Sequence, residues 1–451
     1  MINKKNEQVV ILFVVFLVAI QAPILARSLG DKLEPAALFL TWQQDPTSTM
    51  TIDWHTEVGD EAIPILHYRL ETDAEWHNAS ADPHEFPFSD RTIYRSELTG
   101  LDPGSTYQFR VGEFERIYSF RTMPKDIYTP LRFAAGGDTS HGEQFRKTNQ
   151  AVMKYDLDFI VIGGDLAYAN GMEENLGHWI SWFDRVREDL ITAEGRVIPM
   201  IVGIGNHDVV NHHYGGSDVL LQEDWKDEHL MEIAGRGDID EATDEVRLKK
   251  GPYFYRLFAF PGQPGYGVLD FNDYLSLVIL DSSHSNKIPG QQTDWLETVL
   301  QERQSQAHLI PVYHKPAYPS HRVQPGGKRQ QVWSEQVLKY WVPLFEKYRI
   351  RVAFENDDHT YKRTYPLRND QIDPSGIVYI GDGSWGVGKR EPKIPEEVWY
   401  LQKSAQENSA IIVTLHGPFQ HFMMINDEGD IIDEYPETPK MRGEKTGLSQ
   451  R

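Results

Sequence analysis

Arg132-Phe133-Ala134-Ala135-Gly136-Gly137-Asp138 and Phe159-Ile160-Val161-Ile162-Gly163-Gly164-Asp165 are the two stretches whose reading decides the fold. Each is a short apolar run, of the kind that forms a buried strand, closing on glycines and then a carboxylate. The pattern recurs three times: Met200 to Gly205 before Asn206, Leu309 to Tyr313 before His314, and Val352 to Phe354 shortly before Asp357 and His359. Glu143 to Lys154, Leu176 to Leu190, Thr293 to Gln306 and Gln330 to Lys347 carry apolar residues at three-to-four spacing, which predicts helices between the strands. Strands alternating with helices describe an α/β domain with parallel strands. Sites in such sheets lie outside the carboxyl ends of the strands, so residues far apart in sequence are expected to converge there.

Upstream, from about Glu34 to Arg121, the pattern changes to short alternating strands separated by turn residues, among them Met50 to Trp54, Ile65 to Leu70 and Thr106 to Val111. This predicts a small β-sandwich over 34–122, with Trp54 in its core. Leu98-Thr99-Gly100-Leu101-Asp102-Pro103-Gly104-Ser105-Thr106-Tyr107 resembles the fibronectin type III signature, in which Tyr107 would be a structural tyrosine-corner residue. The long polar stretch Asp208 to Lys250 reads as an insertion at the rim of the larger domain, which is expected over 128–440.

Forty-five basic against 67 acidic residues among 451 give a net charge of -22, which argues against unaided binding to nucleic acid or an anionic membrane. Lys4 and Lys5, the apolar run Val9 to Ile20 and a small residue at Ala26 read as an export signal over 1–26. The run is shorter than the roughly 20 residues a spanning helix needs, so no transmembrane helix is expected in the mature chain. The predicted location is therefore periplasmic, cell-surface or secreted. With no cysteine in the chain, disulfides, thiolate metal sites and a thiol nucleophile are excluded. Any metal must be held by His, Asp, Asn, Glu or Tyr, a set that suits iron, manganese and zinc.

The residues ending the five strands are of that kind. Two metal ions a few Å apart need a bridging carboxylate and several single ligands, and such a pair activates water and clamps an in-line phosphoryl displacement. Gly137, Gly164 and Gly205 immediately precede their ligands, allowing tight turns and a close backbone approach.

In this ordered set, Gly-Asp138, Gly-Asp165-Leu-Ala-Tyr168, Gly-Asn206-His207-Asp208, Tyr-His314 and Asp357-Asp358-His359-Thr360-Tyr361, the chain resembles the purple acid phosphatases within the calcineurin-like metallophosphoesterases. The resemblance extends to the sandwich domain and to the Gly381-Asp382-Gly383 turn. It implies a βαββα-type sandwich of sheets flanked by helices. It also implies that Asp138, Asp165, Tyr168 and His359 hold a first metal, with Asp165 bridging to a second held by Asn206, His314 and residue 357. Tyrosinate at Tyr168 implies Fe(III), with Zn, Mn or Fe(II) as its partner. The implied activity is hydrolysis of small phosphate esters, of the phosphomonoesterase type, by a metal-activated hydroxide. His207 is implied to orient phosphate or act as an acid. His321, on a loop seven residues past His314, is a candidate general acid; His212, His213 and His284 read as rim residues.

Two positions depart from the family pattern. The usual Gly-His-x-His ending is replaced by Asn356-Asp357-Asp358-His359, which puts a carboxylate where the second metal expects an imidazole. Asp138, Asp165, Tyr168 and Asp357 with one hydroxide would balance an M³⁺/M²⁺ pair. A near-neutral centre is therefore expected, with a shift toward diesters or toward manganese. Asn170 stands where some members carry an aspartate supporting the His207 equivalent. Alternative readings are a phosphodiesterase or nucleotidase on the same centre, or an exported binding protein with a spoiled second site.

Overall fold

The computed structural model describes residues 34–57, 64–210, 243–381 and 383–436. The leader expected over 1–26, His212 and His213 within the insertion, and Asp382 lie outside the described residues.

The front domain contains β1 (Ala37–Thr41), β2 (Met50–Thr56), β3 (Ile65–Leu70), β4 (His77–Ser80), β5 (Asp82–Glu85), β6 (Thr92–Leu98), β7 (Thr106–Val111) and β8 (Tyr118–Arg121). They form two antiparallel sheets of order β1-β2-β6-β5 and β4-β3-β7-β8. Alternation along β7 turns Tyr107, Phe109 and Val111 inward. Trp54 is fully buried and stacks on Tyr94 with ring centroids 5.5 Å apart. The hydroxyl of Tyr107 accepts the backbone N–H of Asp102 at 2.9 Å, closing the turn as a tyrosine corner would.

Strands β1 and β2 are buried along their whole length and do not alternate. Leu38 and Leu40 face the sandwich core, whereas Ala37 and Phe39 join the core of the following domain. Phe39 stacks on Phe183 at 5.3 Å, and Trp42 meets Phe159 and Phe271 edge-on at 5.9 and 6.0 Å. Arg95 spans the same junction, bonding Asp53 at 2.6 Å and the carbonyl of Leu257 at 3.1 Å.

The larger domain packs two mixed sheets against each other. The first, of order β11-β10-β9-β21-β22-β23, has parallel β9 (Leu131–Gly136), β10 (Phe159–Ile162) and β11 (Met200–Val202), extended antiparallel by β21 (Ser409–His416), β22 (Phe419–Asn426) and β23 (Ile431–Tyr435). The second runs β12-β13-β14-β15-β19-β16-β20. Its parallel centre is β13 (Leu275–Leu280), β14 (His308–Tyr313), β15 (Val352–Glu355) and β19 (Val378–Gly381). The antiparallel strands of this sheet are β12 (Gly267–Phe271), β16 (Tyr361–Thr364) and β20 (Leu401–Ala405), while β17 (Leu367–Arg368) and β18 (Gln371–Ile372) pair as a separate hairpin. Phe133 and Phe159 from one sheet share a core with Leu277, Val312 and Phe354 from the other. The five expected strands are thus divided between two sheets whose carboxyl ends meet.

Helices α1 (Glu143–Val152) and α2 (Leu176–Asp189) follow the expected spacing, and α3 (Asp244–Lys250) ends the insertion, started by Thr243 accepting the N–H of Val246. The helix predicted over Thr293 to Gln306 begins two residues earlier, as α4 (Gln291–Glu302). The single helix expected over Gln330 to Lys347 is instead α5 (Val332–Tyr340) and α6 (Val342–Lys347). The cause is Pro343, which has no N–H to continue the helical ladder. Among the described residues no helix is long and apolar enough to cross a membrane.

His55 lies inside the junction between the domains, its ring 4.6 Å from Phe183 and 5.2 Å from Phe86, and neither ring nitrogen finds a hydrogen-bond partner. Burial first, then Arg91 and Arg95, push its pKa down from 6.5 to about 3. Between those values the unfolded chain takes up a proton that the folded chain refuses. Stability is therefore present above pH 6.5 and lost as pH falls toward 3. This ring alone should remove about 2 kcal/mol between pH 7 and pH 5. His55→Leu should accordingly gain on the wild type over that interval in urea unfolding; a difference independent of pH would refute the assignment.

Candidate metal centre

The ligand candidates sit just beyond the strand ends. Asp138 follows β9, Asp165 follows β10, Asn206 opens a 3₁₀ turn (Asn206–Asp208) after β11, His314 directly follows β14, and Asp357 and His359 follow β15. Several hold left-handed backbone: Asp138 (φ 57°), Asp165 (56°), Tyr168 (60°), Asn170 (55°), Asp357 (82°) and His359 (58°). Asp, Asn and His tolerate this region, whereas a tyrosine there is unusual; each costs on the order of 1 kcal/mol and is kept only where its surroundings impose it. Two glycines show how tight the packing is. A Cβ on Gly205 would strike the Asp165 carboxylate, and one on Gly383 would strike that of Asp138.

Two groupings share Asp138 and Asp165. On one side the Tyr168 hydroxyl donates to Asp138 Oδ1 at 3.0 Å and lies 3.2 Å from His359 Nε2, itself 3.0 Å from the same oxygen. On the other, His314 Nε2 lies 3.2 Å from Asn206 Oδ1, 3.3 Å from Asp165 Oδ2 and 3.5 Å from Asp357 Oδ1. His314 Nδ1 lies 3.1 Å from the carbonyl of Gly163, which fixes the ring so that Nε2 is turned to the other ligand candidates. Ligand atoms of Asp138, Asp165 and His314 all fall within 4.8 Å of one another. Asp208 binds the loops together by accepting the N–H groups of Gly205 (2.8 Å), Asp165 (2.9 Å) and Leu166 (3.0 Å).

His207 stacks on Tyr168 with centroids 4.0 Å apart, and its Nδ1 meets Asn170 Oδ1 at 2.6 Å. Asn170 thus supports His207 as an aspartate would, with an amide oxygen. His321 is tethered by Asp358 and Glu391: its backbone N–H donates to Asp358 Oδ2 at 2.6 Å and its Nδ1 lies 2.8 Å from the carbonyl of Glu391.

One expectation is corrected. His284 is not at the rim; it is buried, 5.4 Å from the His314 ring, with Nε2 3.1 Å from Ser282 Oγ. The signal was present, because β13 also runs from an apolar stretch into polar residues, Asp281-Ser282-Ser283-His284. Two further residues escaped the sequence reading. Lys315 Nζ lies 2.5 Å from Asp357 Oδ1, and Arg322 Nη1 lies 2.5 Å from Asp357 Oδ2 and 2.8 Å from Asp358 Oδ1. The expected near-neutral balance counted ligands alone, whereas Lys315, Arg322 and Asp358 stand beside Asp357.

Electrostatics fit a cation. Burial, then the charges of Asp138 and Asp165, push the pKa of Tyr168 well above 10, so the phenol stays protonated until a strong Lewis acid sits beside it. His314 is driven well above its ordinary range by Asp165 and Asp138 despite the opposing effect of burial. Burial opposes ionisation of Asp357 too, but Arg322 and Lys315 outweigh it and hold the pKa well below the usual carboxylate range. Nitrogen and oxygen donors buried together, with glycines leaving room for their oxygens, suit iron, zinc or manganese.

Residues 35–122 match the family model described as purple acid phosphatase, N-terminal domain, and residues 131–361 match that of the calcineurin-like phosphoesterases. Similar proteins include two from Arabidopsis thaliana. Probable purple acid phosphatase 20 is 27% identical over 307 residues, covering 65% of this chain and 62% of that protein. Purple acid phosphatase 21 is 26% identical over 310 residues, covering 68% and 60%. The chain therefore matches a little under two thirds of the length of these relatives. Among solved structures, purple acid phosphatase PPD1 from yellow lupin (Lupinus luteus) seeds superposes with a TM-score of 0.66 at 15% identity, covering 88% of this chain and 73% of that one. PhoD superposes at 0.60 with 11% identity, covering 87% and 86%. These two likenesses concern the fold. With the phosphoesterase model matched over 131–361 and the ligand-bearing strand ends meeting as described, the chain belongs to the calcineurin-like phosphoesterases, behind a front domain that matches the purple acid phosphatase N-terminal model.

Proposed function

We propose that this chain hydrolyses phosphate esters as an acid phosphatase-like phosphomonoesterase. The observation that carries the reading is the meeting of Asp138, Asp165, Tyr168, Asn206, His314 and His359 from the ends of two sheets. In this reading Asp138, Asp165, Tyr168 and His359 would hold Fe(III), and Asp165, Asn206, His314 and Asp357 would hold a Zn, Mn or Fe(II) partner. Bound metals supply water acidic enough to attack phosphorus and positive charge for the phosphoryl oxygens.

The protein's own groups do the rest. His207, fixed through Nδ1 by Asn170, presents its remaining ring nitrogen toward the centre to orient phosphate. His321 hands a proton to the leaving oxygen through its Nε2, its Nδ1 being engaged by the carbonyl of Glu391. Lys315 and Arg322 favour a dianionic monoester over a diester by adding positive charge beside Asp357. The substrate is a small phosphate ester, and the leader pattern over 1–26 supports an exported protein.

A nitrophenyl phosphate monoester and the corresponding diester, assayed side by side on the metal-loaded chain, test this directly. Faster monoester turnover is expected; diester preference would turn the assignment to a phosphodiesterase, and no turnover of either would overturn it. A tyrosinate-to-iron charge-transfer band should colour the purified protein and vanish in Tyr168→Phe; a colourless wild type loaded with iron would remove Tyr168 from the ligands. His207→Ala should lower kcat by roughly a hundredfold or more while metal content stays unchanged. A variant at wild-type rate would make His207 structural.

A further inference from the structure

Asp357 replaces the imidazole of its family, and both oxygens of its carboxylate already face protein cations. Lys315 Nζ takes Oδ1 and Arg322 Nη1 takes Oδ2, each at 2.5 Å. Oδ1 is also the oxygen that faces His314 Nε2, at 3.5 Å, and is therefore the one a second metal ion would need. The ammonium is not a surface charge folded in by chance. Lys315 and Asp357 side chains are each only 2% exposed. The Lys315 backbone N–H donates to Ser282 Oγ at 2.8 Å, and its ammonium lies 5.8 Å from the centre of the Trp333 ring. Lys315 directly follows the ligand His314, so the strand end that presents the imidazole also delivers the ammonium. Arg322 is tied more broadly, to Asp358 Oδ1 at 2.8 Å and the carbonyl of Asp357 at 2.9 Å.

Two cations cannot both sit on one desolvated carboxylate oxygen without strong repulsion. We infer that Lys315 is a built-in competitor of the second metal ion, its ammonium holding Asp357 Oδ1 so that the two halves of the centre load unequally. The half formed by Asp138, Asp165, Tyr168 and His359 retains its ion, while the half at Asn206, His314 and Asp357 fills only when Lys315 gives up its oxygen. The fraction of chains free of that contact then scales the apparent affinity of the second position, and its occupancy follows the supply of divalent ion around the protein. This inference rests on the proposed reading of the site as a metal centre.

The test uses the full chain, passed through a chelating resin, analysed for metal, and then titrated with Mn²⁺ by calorimetry as wild type and as Lys315→Gln. The wild type should keep one ion per chain and take a second weakly. Lys315→Gln, which can still hydrogen-bond Asp357, should bind that second ion tighter by about tenfold or more. Two ions per chain surviving the resin in the wild type, or an unchanged second step in the variant, would overturn the inference. The wild-type stoichiometry decides even where the variant does not fold. Two tightly held ions with phosphoesterase turnover would sink only the competitor; a chain that binds no metal and hydrolyses nothing would sink the proposed function beneath it.

Discussion

The carboxylate of Asp138 is the knot that ties two separate sheets into one site. It belongs to the first sheet, yet its Oδ2 accepts the N–H of Asp357 from the end of β15 at 3.0 Å, and its Oδ1 meets both Tyr168 and His359. Strand ends from different sheets approach this closely only where side chains make room. Asn356 fills the gap, donating to the carbonyl of Tyr313 at 3.0 Å and lying where any Cβ on Gly137 or Gly163 would be. The left-handed backbone at Asp138, Asp165, Tyr168, Asp357 and His359 follows from the same demand, because each loop must turn at once to aim its side chain back at the seam.

Much of this was legible in sequence, for a definite reason. Apolar runs of strand length ending in Gly-Asp, Gly-Asn or Tyr-His mark both the strand and the direction in which it stops, and all five strands lie where the pattern placed them. Division into two sheets was not legible, since the pattern of a buried strand does not say which neighbour it pairs with. His284 was passed over although β13 bears the same signature, because its polar run is four residues long and only the last is an imidazole. Lys315 and Arg322 were hidden more deeply. A lysine after a ligand and an arginine seven residues later look like any solvated charges until the fold buries them on one carboxylate.

Those two cations also change how the charge of the protein should be understood. A chain of net charge -22 would repel a phosphate dianion over most of its surface. Two fixed cations, Lys315 and Arg322, stand beside the centre instead, among the carboxylates of Asp138, Asp165, Asp357 and Asp358. The replacement of an imidazole by Asp357 is thus not an isolated loss of a ligand. Its carboxylate is paired with the ammonium of Lys315 and with the guanidinium of Arg322, which also holds Asp358.

The shared packing of β1 carries a consequence for what the front domain is. Phe39 lies against Phe183 of α2, and one residue before it on that helix Trp182 donates to Thr139 Oγ1 at 3.0 Å, next to Asp138. Three side chains therefore connect the first strand of the sandwich to the ligand on which both sheets converge. The front domain is a buttress rather than a spacer, and the seam between the two matched families in sequence is not a seam in the packed interior. The sandwich and the helix it props thus form a single mechanical unit.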